Sequence, residues 1–121
     1  MKQIKIVQAY NVTEDLSKDR NLSIDAKWVL YKLRKDLYSY YEFYLTESQN
    51  LLNEYETTTE GNSIRFKSAK EANEYTERQT KIDEFEVETE FQRKELKLSD
   101  IPSISIQQIE TLEGFIEFKP E

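Results

Sequence analysis

The chain predicts an α+β domain: a long antiparallel helical hairpin packed with a small antiparallel sheet and a short C-terminal helix. Three observations carry that reading. No Gly or Pro occurs between positions 24 and 56, and leucines and tyrosines recur there at seven-residue spacing, the signature of one long helix. Later segments alternate apolar and charged residues with a period of two, which places side chains on opposite faces of a strand. Two glycines and two prolines in 121 residues leave room for few tight turns, so elements are long. With 37% hydrophobic and 12% aromatic residues, the chain is polar yet too aromatic for a disordered one. Its length supports one domain, 1–121, with a single modest core.

The elements follow in order. Positions 2–7 alternate around Ile4 and Ile6 and predict a short strand, while 7–16 fits either a helix or an extension of that strand. The polar stretch 17–21 is a connection. Ser23 has the character of an N-cap, with Asp25 in the first turn where a carboxylate complements the helix dipole. The helix it starts runs to about Glu56. Along it Leu30, Leu37, Tyr44 and Leu51 form one row, Tyr31, Tyr38, Leu45 and Leu52 a second, Leu33 and Tyr40 a third, and Tyr41 and Tyr55 a fourth. At about 100° per residue these rows span an arc of roughly 160°, wider than a two-stranded coiled-coil seam. A face that broad needs two neighbours: another helix with a sheet, or another helix with a second copy of the chain. Homodimerisation is therefore expected.

Thr57, Thr58, Thr59 and Glu60 lead into Gly61-Asn62 and predict a turn, followed by a short strand over 63–67. Ser68 and Glu71 have capping-box spacing and start a second helix to about Asp83, with Ala72, Tyr75, Gln79 and Ile82 on one face. This helix is the expected antiparallel partner of the long one. Strict alternation over 84–91 predicts a strand, continuing past a bulge toward Leu96 and Leu98. Asp100-Ile101-Pro102 breaks it. Ser105 and Gln108 form a further capping box before a short helix that ends at Gly114, and 115–118 is a terminal strand.

The same residues restrict the chemistry. Without His or Cys the commonest general base, the thiolate nucleophile and the usual zinc ligands are missing. Two glycines allow neither a P-loop nor a dinucleotide fingerprint. No cofactor, no metal and no catalytic set is expected. A net charge of −7 with acids and bases interleaved speaks against direct nucleic-acid binding, which needs a basic footprint. The opening MKQIKIVQAY has an apolar run too short for a signal peptide or membrane span, so a cytoplasmic protein is expected.

Two features suggest a binding surface. On a strand, Glu84, Glu86, Glu88 and Glu90 share one face at intervals of about 6.6 Å, comparable with successive backbone phosphates. Such a row would imitate nucleic acid toward a basic groove; the plainer alternative is a solvated outer face whose acids discourage edge pairing. The second feature is the tyrosine cluster. Tyrosine suits the margin of a partly covered helix face, since its ring buries while its hydroxyl reaches water. Most of these rings read as core margin, whereas Tyr31, Tyr38 and Tyr41 lie toward the edges of the arc and are the candidates for a protein interface.

Five stretches together resemble small proteins of tailed bacteriophages to which no activity is assigned: IVQAYNVTEDL, LYKLRKDLYSYYEFYLTESQNLLNEYE with its following Gly-Asn turn, SAKEANEY, FEVETE and ISIQQIETLEGFIEF. The last run is the most distinctive, and the tyrosines of the long helix depart from the more Glu- and Lys-rich pattern of that group. The resemblance implies phage origin and no inherited catalytic residue, and with it the cytoplasm expected above is that of the host cell. The expected function is thus a phage-encoded, non-enzymatic interaction protein that binds and inhibits a host or defence protein. The alternative is a virion structural or assembly component acting through oligomerisation with phage proteins. A carboxylate-dependent enzyme is the third class.

Overall fold

A computed structural model describes residues 1–120. Among these residues the α+β class holds, with four α-helices and two two-stranded sheets. The elements are α1 (Gln3–Leu16), α2 (Ile24–Asn53), β1 (Thr57–Glu60), β2 (Ser63–Phe66), α3 (Ala69–Asp83), β3 (Lys94–Lys97), a short 3₁₀ turn (Leu98–Asp100), α4 (Ile106–Leu112) and β4 (Ile116–Lys119).

The first helix replaces the strand expected at 2–7. Gln3, Ile6, Val7, Tyr10, Thr13 and Leu16 are buried at helical spacing, and this stripe packs α1 antiparallel against α2. The two buried polar side chains of α1 both find acceptors: Gln3 Nε2 donates to the Ile82 carbonyl at the end of α3 at 2.8 Å, and Thr13 Oγ1 to the Tyr10 carbonyl one turn back at 2.6 Å.

Ser23 caps α2 as its sequence position predicts, its hydroxyl accepting from the Ala26 N–H at 3.1 Å. Ala26, Leu30, Leu33, Leu37 and Leu51 form the buried edge of this 30-residue helix. Each of these leucines, taken out of water, contributes about 1.5–3 kcal/mol. α1 covers the N-terminal half of α2 and α3 the C-terminal half. The antiparallel pairing of α2 with α3 is as expected, and Ala72, Tyr75, Gln79 and Ile82 are half-buried, together with Arg78 and Asp83. Ser68 accepts from the Glu71 N–H at 3.2 Å and starts α3.

Thr57–Glu60 is a strand rather than part of a turn. It pairs antiparallel with β2 through a tight turn in which Gly61 takes φ +60°, a conformation that favours glycine. β-Branched threonines favour extended backbone, and the turn proper shrinks to Gly61-Asn62.

β3 and β4 pair in parallel, so the two sheets are separate and only the β1–β2 hairpin is antiparallel. The reason lies in α4: parallel strands require a crossover of a dozen or more residues, and this helix supplies it. Both halves of its capping box form, with Ser105 Oγ accepting from the Gln108 N–H at 3.1 Å and Gln108 Oε1 from the Ser105 N–H at 2.8 Å. Ile101, Leu112, Phe115 and Ile116 close the core beneath α1 and α2.

Candidate interaction surface

The predicted acidic strand does not form. Residues 87–93 have no strand partner, and the only ladder contact in the acidic segment is a single antiparallel bridge between Lys2 and Glu86. The neighbouring backbone enters α1 at Gln3, so the ladder ends after one pair: Val87 N–H donates to the Met1 carbonyl at 2.9 Å and Gln3 N–H to the Phe85 carbonyl at 2.8 Å. Alternation governs burial only in part: Val87 is inward and Glu84, Glu86, Glu88 and Glu90 are all exposed, but Phe85 is exposed as well. Their charges are not equivalent, however. Glu84 lies 3.6 Å from Lys2 Nζ and Glu86 3.3 Å from the Met1 amino group, while Glu88 and Glu90 enter no ion pair among the described residues. A straight row of four free carboxylates is therefore not what this segment presents.

The tyrosines separate into three environments. Tyr41 is half-buried; its ring stacks on Tyr10 at 4.1 Å and packs against the core, which makes it an inter-helix residue rather than an edge. Tyr44 belongs to a polar network between α2 and α3. Its hydroxyl donates to Asp83 Oδ1 at 2.6 Å, and Gln79 Nε2 donates to Ser48 Oγ and Asp83 Oδ1, both at 3.1 Å. Partial burial, reinforced by the Asp83 carboxylate, pushes the Tyr44 pKa up to about 12.

Tyr31 and Tyr38 are the third group, and each is 51% exposed. With Ile24, Trp28 and Leu45, all at least 48% exposed, they form a stripe at spacings of four, three, seven and seven. At about 100° per residue this stripe points roughly 130° away from Leu30, Leu33 and Leu37. The second row read from the sequence thus turns outward while the first turns into the core. Both are apolar, so α2 has two hydrophobic faces, and only one is covered within the domain.

The N-terminal end of the stripe is ordered by its own contacts. Trp28 stacks on Tyr31 at 5.6 Å, Lys32 Nζ stands 5.8 Å from the Trp28 ring centre, and Lys35 Nζ 5.6 Å from that of Tyr31. Beside Trp28 runs an open groove of about 330 Å³, bordered by Lys32, Arg93 and Lys94. At the middle, the Glu42 carboxylate one turn on raises the Tyr38 hydroxyl above its ordinary pKa through hydrogen bonding and charge. Trp28 was not singled out from the sequence, although its spacing from Ile24 and Tyr31 is the signal that identifies it.

The remaining displaced ionisations do not converge on a cleft. Arg78 forms a two-pronged pair with Glu54 at 2.9 and 3.0 Å and holds that carboxyl below its usual range. Lys119 does the same to Glu117 at the other end of the molecule. Both pairs are on the surface and have a structural explanation in their own ion-pair geometry. Among the described residues no group of three or more acidic side chains is placed to hold a metal ion. No helix among them is long and apolar enough to cross a membrane. No family model, curated protein or solved structure matches the chain.

Proposed function

We propose that the chain is a non-enzymatic interaction protein whose working surface is the outward face of α2. One observation carries this reading: Ile24, Trp28, Tyr31, Tyr38 and Leu45 line one exposed stripe on a helix whose opposite side is already buried. Apolar side chains scattered singly over a surface need no explanation, but several large ones aligned along one helix face mark a contact site. Tyr and Trp are also the residues that most often anchor protein interfaces.

The mechanism is stoichiometric binding. Trp28 and Tyr31, held by mutual stacking, supply rigid apolar area, and the flanking lysines give a polar rim. The partner class that goes with a phage-like chain is a host or defence protein in the host cytoplasm, inhibited by occlusion. The second reading, an assembly role through oligomerisation, is favoured by the regularity of the stripe, whose spacing suits a helical partner. Recognition by the acidic segment is the weaker version, because Glu84 and Glu86 are already engaged by the N-terminal residues.

The test is an affinity pull-down of tagged protein from infected and uninfected host lysates, at low and high salt, with mass spectrometry. Wild type is compared with Tyr31→Ala/Tyr38→Ala and with Glu84, Glu86, Glu88 and Glu90 all changed to Gln. A specific partner retained by wild type and by the Gln variant but lost by the tyrosine variant is the expected result. Loss in the Gln variant alone would move the site to the acidic segment.

A further inference from the structure

We infer that the outward face of α2 is covered by the same face of a second copy, the two helices running antiparallel with their two-fold axis beside Tyr38. The inference rests on the reading of that face as the working surface and names its occupant. Three observations lead to it.

The first is periodicity. Ile24, Trp28, Tyr31, Lys35, Tyr38, Glu42 and Leu45 follow one another at alternating spacings of four and three. That is the seam by which one helix packs along another, and 22 residues extend about 30 Å, enough for a helix pair to interlock over several layers. A globular partner surface or a single side-chain anchor requires no such regularity.

The second is charge. The only side chains within the seam that are charged at neutral pH are Lys35 and Glu42, of opposite sign. Neither enters an ion pair among the described residues; Lys35 stands over the Tyr31 ring and Glu42 lies beside Tyr38. A parallel pairing in register would place Lys35 against its own copy and Glu42 against its own copy, two like-charge contacts. An antiparallel pairing sets Lys35 against Glu42 of the partner subunit, twice by symmetry.

The third is that one axis satisfies the whole seam. The midpoint of Lys35 and Glu42 falls next to Tyr38. About that point Tyr31 faces Leu45 of the partner subunit, and Ile24 faces Leu52 of the partner subunit. Trp28 faces Gln49 of the partner subunit, so the indole N–H and the amide meet near the rim. Ile24, Tyr31, Tyr38 and Leu45 thereby acquire an apolar or aromatic neighbour, and both charges acquire a counter-charge.

Sedimentation equilibrium of the full chain tests it first, with wild type, Lys35→Glu, Glu42→Lys and the double exchange. Wild type is expected to associate reversibly to a dimer. Each single variant replaces two attractive contacts by two repulsive ones and should dimerise roughly tenfold more weakly. An equimolar mixture of the two single variants, and the double exchange by itself, should recover wild-type association. Cysteine variants then fix the orientation, since the chain has no cysteine of its own. Tyr38→Cys should form a disulfide with its own copy under mild oxidation, and Ile24→Cys should not.

A chain that stays monomeric at every concentration would overturn the inference. So would a dimer indifferent to Lys35→Glu and Glu42→Lys, or efficient self-linking of Ile24→Cys, which means a parallel pair. The two readings fail separately. A monomeric wild type that still loses its captured partner in Tyr31→Ala/Tyr38→Ala sinks the dimer and keeps the interaction surface. An antiparallel dimer whose captured partners are unaffected by the tyrosine changes does the reverse.

Discussion

The ring of Tyr41 stacks on that of Tyr10, centres 4.1 Å apart and planes 19° from parallel, and so fastens α2 to α1. Ten residues earlier on the same helix, Tyr31 stacks only on Trp28 and stands out in solvent. Two tyrosines with the same sequence credentials thus have opposite jobs, and their substitution should separate fold from surface.

Tyr41→Ala removes a half-buried ring from the α1–α2 seam and should cost about 2 kcal/mol in urea unfolding. Tyr31→Ala removes a ring with no partner in the core and should change stability by less than about 1 kcal/mol. A comparable loss in both variants would mean that the outward stripe contributes to the fold.

Alkaline pH should expose the Tyr44–Asp83 contact. The folded hydroxyl titrates at about 12 against an ordinary value of 10.0, so the native state holds its proton where the unfolded chain has released it. Its contribution is fully present below pH 10 and is lost as pH rises toward about 12. Tyr44→Phe should lower stability at neutral pH by about 1–2 kcal/mol, leaving Asp83 with one donor fewer. The gap between wild type and Tyr44→Phe should narrow across that alkaline window, as followed by unfolding curves at stepped pH. A constant gap would show that the hydroxyl has no special stabilisation.

Gly61 should be replaceable only at the cost of the hairpin. A Cβ at this position meets nothing within 4 Å, so the penalty of Gly61→Ala is the backbone strain at φ +60°, about 1 kcal/mol. β1 is exposed throughout and β2 nearly so, hence the loss should be local. Amide exchange should accelerate in β1 and β2 while the global unfolding midpoint stays within a degree or two.

Neutralising the acidic segment should barely touch the fold. The Lys2–Glu84 and Met1–Glu86 pairs are exposed on the carboxylate side, and such pairs contribute about 0–1 kcal/mol each. The four-fold Gln variant should unfold within about 1 kcal/mol of wild type in moderate salt. A larger loss would assign these carboxylates a structural role.

Much of this architecture is legible in the residues, and the failures have physical causes. Ser23, Ser68 and Ser105 cap the helices they were expected to cap, because each hydroxyl sits where an unpaired N–H needs an acceptor. The start of the chain misleads because Lys2 to Ile6 alternates over too few residues to separate a period of two from one of 3.6. The longer run of Ile6, Tyr10, Thr13 and Leu16 decides for helix once α2 is there to bury it. At 84–91 alternation correctly assigns Val87 inward, but a strand also needs a neighbour of equal length, and Lys2 offers one residue. The broad arc on α2 concealed the most useful fact. Rows led by Leu30 and Tyr31 are both apolar, and composition alone does not tell which faces the core. Only the packing of α1, α3 and the 94–119 unit against one side leaves the other bare.

Trp28, the only tryptophan of the chain, sits 58% exposed on the outward face and reports its occupancy directly. The decisive measurement is acrylamide quenching of its fluorescence across a dilution series, for wild type and for Tyr31→Ala/Tyr38→Ala. If the outward face of α2 is the working surface, the emission should shift to shorter wavelength and the quenching should fall as wild type is concentrated. The tyrosine variant should remain openly quenched at every concentration. An indole equally accessible in both proteins, at all concentrations and in the presence of a captured partner, would contradict the account.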